Sequence, residues 1–195
     1  MAPELPPPSE LSPSELPPPR EPGTPYRVCL VCLGNICRSP MAETVLRAEL
    51  AQAGLDGAVS VDSAGTGDWH IGERMDPGAR AALARHGYDG SAHRARQFDP
   101  SWLTHYDLVL AMDQRNLADL RRTADQASQA SQASQVGRAD RIQLFGEAGG
   151  LTEAGGREIP DPWGGRAEEF DHVLDLLGAA APVIAGRLAR LLEPR

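Results

Sequence analysis

The sequence predicts an α/β domain in three layers, a parallel sheet with helices on both faces. Apolar strand-like runs alternate along the chain with amphipathic segments at helical spacing, the pattern of parallel strands joined by crossover helices. A length of 195 residues suits one domain with a buried core. Hydrophobic residues make up 41% of the chain, and no continuous apolar stretch reaches the ~20 residues of a membrane span.

Each element follows in order. Residues 1 to 25 repeat a Ser-Glu-Leu-Pro-Pro-Pro theme. Prolines this dense cannot join helix or sheet ladders, so the segment is expected to be a disordered, polyproline-like tail. A PxxP ligand for a partner domain is the sharper reading of the same residues. The tail has neither a basic n-region nor an apolar h-region and is not read as a signal peptide. The domain is expected to span 26–195. "YRVCLVCL" is a strand. "RSPMAETVLRAELAQAG" is a helix ending at Gly54, with Ser39 expected to cap its start and Pro40 at its first position. "AVSVDSAG" is a strand, and "PGARAALARHG" is a helix closed by Gly87. "YDLVLAM" is a buried strand, after which Asp113 can cap the helix "QRNLADLRRT". "RIQLF" is a short strand. Residues 167–192 form a long helical region, with a bend expected near Pro182. Tandem Gln-Ala-Ser units within 125–137 predict a polar surface-loop insertion without chemistry.

The net charge of −8 argues against a nucleic-acid binder but leaves room for a local basic pocket. Cys29, Cys32 and Cys37 lie within "CLVCLGNIC", so no long-range disulfide framework can form. That pattern suits the reducing cytoplasm. Cys29 and Cys32 match C-x-x-C, a redox spacing. Residues three apart on a strand face opposite sides, however, which disfavours that pair. No fourth ligand joins the cysteines at zinc spacing and the histidines are scattered, so no zinc site is expected, and nothing in the chain calls for a cofactor.

The loop after the first strand draws the most attention. In open α/β sheets ligands bind at the carboxyl ends of strands. A loop feeding a helix N-terminus aims free N–H groups and a positive dipole end at one spot, where an anion fits and a Cys32 thiolate is favoured. Arg38 can offer paired donors to phosphate oxygens. Gly34 permits close backbone approach, and Asn35 tolerates a left-handed conformation. Cys29 reads as a small core residue. Cys37 reads as packing, or as a second thiol able to cap an oxidised Cys32.

C-x5-R-S, written here as "CLGNICRS", resembles the phosphate-binding loop of the low-molecular-weight protein tyrosine phosphatases. The match continues in order through "DSAGTGDWHIG", "HGYDGSAHRARQ", "YDLVLAMDQRNL" and "PDPWGG", covering roughly Arg27 to the C-terminus. The resemblance implies a flavodoxin-like, four-stranded parallel sheet in the order 2-1-3-4. It also implies hydrolysis of phosphotyrosine proteins through a cysteinyl-phosphate, without metal. Cys32 is then the nucleophile, Asp161 the general acid and base, and Arg38 the phosphate ligand. Leu33, Gly34, Asn35, Ile36, Cys37 and Ser39 complete the phosphate loop. Ser63 and His93 belong to a hydrogen-bond network with Asn35 and Ser39, while Trp69 and Trp163, with Leu33 and Ile36, wall the substrate pocket.

Departures from that pattern set the alternatives. Trp163 is followed by Gly164 and Gly165, where the tyrosine phosphatases often carry a second aromatic. A lone aromatic before two glycines resembles the bacterial protein-arginine phosphatases, which usually place threonine where this chain has Ile36. The larger Ile36 favours tyrosine. A thioredoxin-linked arsenate reductase needs further cysteines downstream, and none follows Cys37. An idle phosphate-binding module would have no use for Asp161.

Overall fold

The computed structural model describes residues 15–131, 139–152 and 156–193. Strand β1 (Tyr26–Cys32) is central, and its side chains alternate between two buried clusters. Val28, Leu30 and Cys32 enter one cluster, while Cys29 and Val31 enter the other. A strand covered on both faces reads as one apolar run because water reaches neither side. β1 pairs with β2 (Val59–Gly65) and β3 (Leu108–Ala111), and β3 pairs with β4 (Ile142–Leu144). All pairs are parallel, in the order β2-β1-β3-β4, as expected.

Helices α1 (Arg38–Gln52), α2 (Pro77–Arg85), α4 (Phe145–Ala148) and α5 (Ala167–Leu192) cover one face. The other face is covered by α3 (Gln114–Ser131) and a short 3-10 helix, Pro100–Thr104. Asp76 caps α2 by accepting from Gly78 N at 2.7 Å and Ala79 N at 3.3 Å, with Pro77 fixed at the first position. α5 runs unbroken through Pro182. By length and composition it is the one helix among the described residues apolar enough to cross a membrane, although no single run of its sequence announces this. Here Phe170, Val173, Leu177, Ala181, Ile184 and Leu188, three and four apart, close the core. Burying each leucine of such a stripe contributes about 1.5–3 kcal/mol.

Three expectations require correction. Residues 15–25 are not a solvated tail but a strap across the amino ends of the strands. Leu16 is buried, Tyr26 Oη donates to Pro17 O at 2.8 Å, and Arg141 Nη1 donates to Pro18 O at 2.9 Å. Arg20 donates through its backbone N to Asp107 Oδ1 at 2.6 Å and through Nε to Tyr106 O at 2.8 Å. A polyproline-like backbone leaves its carbonyls unpaired, so side chains of the domain can take them, and pre-stiffened prolines lose little entropy on docking. Residues 1–14 lie outside the described residues.

The Gln-Ala-Ser segment is likewise not wholly loop, since its first two units continue α3 to Ser131. Glutamine and alanine are good helix formers, and Ser128 Oγ turns back to donate to Ala124 O at 2.8 Å. The third unit lies outside the described residues. Finally, α1 begins at Arg38, ahead of the expected start, and no side chain caps it. Ser39 lies inside the first turn, and its hydroxyl serves the site described next.

Candidate active site

β1 ends at Cys32, level with Gly65 of β2. The chain then turns through Leu33–Cys37 into α1, with Asn35 at φ 56°, the only positive φ outside glycine among the described residues. That turn folds the backbone over the sulfur, and Asn35 N donates to Cys32 Sγ at 3.2 Å. Ser39 Oγ lies 3.1 Å from the same sulfur and 3.2 Å from Ala64 O. The uncapped N-terminus of α1 leaves its first N–H groups to face whatever enters the loop.

Asn35 is fully buried, and all its polar groups are matched. Its Nδ2 donates to Ser39 Oγ and Ser63 Oγ, both at 2.9 Å. Its Oδ1 accepts from Arg96 N at 2.9 Å, and its carbonyl accepts from His93 Nε2 at 2.7 Å. A carbonyl only accepts, so the proton of a neutral His93 sits on Nε2. Burial holds His93 below its ordinary value, with Asn35 O and Glu43 pulling the other way, so the neutral ring is favoured. Cys29 and Cys37 are pushed up, chiefly by burial, and stay thiols. The three cysteines are unpaired. Cys29 faces away from the loop, in the opposite cluster from Cys32.

Arg38 is buried between two carboxylates. Nη1 donates to Asp113 Oδ2 at 2.5 Å and Nη2 to Asp161 Oδ2 at 2.8 Å. Burial opposes its charge, but Cys32 and the two aspartates outweigh burial and raise it. Its Nε is buried and has no hydrogen-bond partner among the described residues. Asp113 also caps α3 by accepting from Asn116 N at 2.7 Å. Ile159 N donates to Met112 O at 2.7 Å and Ile159 O accepts from Arg38 Nη1 at 3.3 Å, which hangs the segment carrying Asp161 at the end of β3.

Above the sulfur opens a pocket of about 380 Å³ lined by Cys32, Leu33, Ile36, Arg38, Asp161 and the two tryptophans. Trp69 and Trp163 are 68% and 66% exposed, so most of each ring is free to cover an entering group. Pro162–Gly165 forms a turn in which Gly165 N donates to Pro162 O at 2.9 Å and Gly164 sits at φ 76°. That conformation excludes an aromatic at Gly164 without strain.

The residues the sequence proposed for the phosphate loop, its supporting network and the pocket walls lie at this end of the sheet. Those not foreseen act through geometry that spacing does not encode. Arg96 supplies a backbone N–H, which every residue but proline carries, and its Nε adds a bond to Ser63 O at 2.8 Å. A Cβ on Gly65 would lie 2.7 Å from Leu33 O, so the loop needs a glycine on the neighbouring strand. His70 lines the pocket and is held by Glu73 Oε2 at 2.8 Å. Asp113 was foreseen as a cap, but not as a partner of Arg38.

The fold and loop together define an α/β protein with a thiol set in a C-x5-R anion cradle. The family model for low molecular weight phosphotyrosine protein phosphatase matches residues 27–192, and the chain belongs to that family. It is 42% identical over 170 residues to a low molecular weight protein-tyrosine-phosphatase of Streptomyces coelicolor, covering 87% of this chain and 98% of the relative. The crystal structure of YfkJ from Bacillus subtilis superposes with a TM-score of 0.75 at 30% identity, covering 89% of this chain and all of that one. Vibrio vulnificus Wzb in complex with benzylphosphonate superposes with a TM-score of 0.67 at 28% identity, covering 83% and 97%.

Proposed function

We propose that the protein hydrolyses phosphotyrosine in protein substrates in two steps, through a cysteinyl-phosphate on Cys32. The observation that carries this reading is one pocket holding the Cys32 sulfur, the Arg38 guanidinium and the Asp161 carboxyl. The phosphate oxygens take the uncapped N–H groups of α1 and the donors of Arg38, including the unmatched Nε. As they do so, Asp161 is released from Arg38 and faces the leaving group. The Cys32 thiolate forms the S–P bond, the P–O bond to the phenol breaks, and Asp161 gives its proton to the leaving oxygen. Water then attacks phosphorus, the S–P bond breaks, the water's proton passes to Asp161, and inorganic phosphate departs. Ser39 supports this course because its single proton can turn from Ala64 O to the sulfur and steady the thiolate. The route uses neither metal nor cofactor.

Tyrosine is favoured because Ile36, Trp69 and Trp163 wall a slot suited to a flat ring, which adds about 0.5–1.5 kcal/mol per aromatic pair beyond burial. That the Vibrio neighbour is found in complex with benzylphosphonate, in which an aromatic ring is one carbon from phosphorus, supports an aryl phosphate as the substrate here. The second reading, phosphoarginine, draws on Gly164 and Gly165, but Ile36 narrows the floor against it. Three unpaired thiols support a cytoplasmic setting.

The test is hydrolysis of para-nitrophenyl phosphate, phosphotyrosine, phosphoserine and phosphoarginine peptides. Cys32→Ser should abolish turnover. Asp161→Ala should slow phosphotyrosine about 10²- to 10⁴-fold, and para-nitrophenyl phosphate less, because its leaving group needs the proton less. Full activity in Cys32→Ser would overturn the mechanism, and faster phosphoarginine turnover would overturn the preference.

A further inference from the structure

The phosphate slot does not end at Trp69. Leu33 and Trp69 are also walls of a second, larger cleft of about 790 Å³, so the two hollows share a rim. The second cleft runs between the loop after β2, the segment 96–102 and the outer face of α3. Its apolar side carries Ile71, Phe98 and Trp102, and exposed Ile71 has no role in the slot itself.

Its charges are uneven in what remains free. Asp119 is engaged by Arg122, and Asp99 accepts from Ser101 N at 2.8 Å. Arg96 is spent on Asp62 and Ser63 and lies 4.8 Å over the Trp102 ring. Arg115 is exposed and has no hydrogen bond or ion pair among the described residues. It also sits in the first turn of α3, where the helix dipole disfavours a cation. On a protein of net charge −8, this leaves an unmatched cation on the wall of the cleft, available to an anion.

We infer that this cleft holds the polypeptide flanking the phosphotyrosine and selects an acidic residue there through Arg115, with Ile71 and Trp102 taking an apolar neighbour. This rests on the phosphotyrosine reading above. The occupant is an extended peptide segment because the cleft opens from the rim of the slot, and a phosphotyrosine seated in the slot must lead its own chain past Trp69.

The experiment compares kcat/KM for phosphotyrosine peptides with Glu, Ala or Lys at flanking positions, using the full chain and its Arg115→Ala and Arg115→Glu variants. Para-nitrophenyl phosphate, which has no flanking chain, is the control. Glu peptides should exceed Lys peptides by about two- to fivefold, shrinking at high salt, since the pair is exposed. Arg115→Glu should reverse the order and leave para-nitrophenyl phosphate unchanged. Equal rates for all three peptides, with phosphotyrosine still hydrolysed, would overturn the cleft and spare the activity. An equal loss on para-nitrophenyl phosphate in the Arg115 variants would also overturn it. If phosphoarginine peptides are turned over instead and show the same charge order, the cleft stands and the phosphotyrosine reading falls.

Discussion

Arg38 is the residue whose setting decides most. It carries the charge that phosphate needs, and Asp113 and Asp161 hold it in aim from two sides. The two duties of Asp113 can be separated, because asparagine caps a helix as well as aspartate does but brings no charge to Arg38. Asp113→Asn should keep the melting temperature near that of the wild type while lowering kcat about tenfold, the cost of one charged hydrogen bond. Asp113→Ala should lose both. Thermal melts beside single-substrate kinetics check this, and an unchanged kcat in Asp113→Asn would remove the aiming role. His93 gives a second test. Its folded value lies below the ordinary one, so the unfolded chain binds the proton more readily. Stability is therefore full above about pH 6.5 and falls as the pH drops through the folded value. His93→Gln, which keeps a donor toward Asn35 O, should flatten the fall in stability below about pH 6.5. An identical slope in the variant would show that other groups set it. The sequence displayed the types of these residues and, through the family motifs, their company. It could not display Arg38 flanked by carboxylates 75 and 123 positions away, because such pairs are made by the sheet and not by spacing.

At the scale of elements, β1, its loop and α1 form one unit, and β2 is its template. Gly65 illustrates this, since its missing Cβ is the space the loop occupies. Gly65→Ala should lift the loop from its partners and reduce kcat/KM by about tenfold or more, with a smaller cost in stability, as overpacking costs about 1–3 kcal/mol. Wild-type kinetics in a folded Gly65→Ala would show that the loop gives way freely. The apolar run of β1, the glycine that closes α2 and the aspartate that caps α3 were readable because each is written within a few residues. The start of α1 was not. A serine before a proline reads as a cap, yet here the hydroxyl turns toward sulfur, and the helix end stays open for an anion.

For the whole molecule, the strand order and the two-faced burial followed from alternation and resemblance. The strap was missed because proline-rich composition reports what a segment cannot form, and says nothing of carbonyls borrowed by a neighbouring surface. Deleting residues 1–25 should lower the melting temperature by about 2–4 °C for each kcal/mol lost. Activity on para-nitrophenyl phosphate should persist, because the strap meets the amino ends of strands whose carboxyl ends carry Cys32 and Gly65. A collapse of kcat without loss of fold would contradict this separation.

That separation has a practical side. β1 spans seven residues, about 20 Å, between the strapped pole and the sulfur. A surface, bead or fused protein joined ahead of the strap therefore attaches behind the molecule, and the entrance to the pocket points outward. Immobilised in that orientation, the protein should meet large phosphorylated chains as readily as small esters.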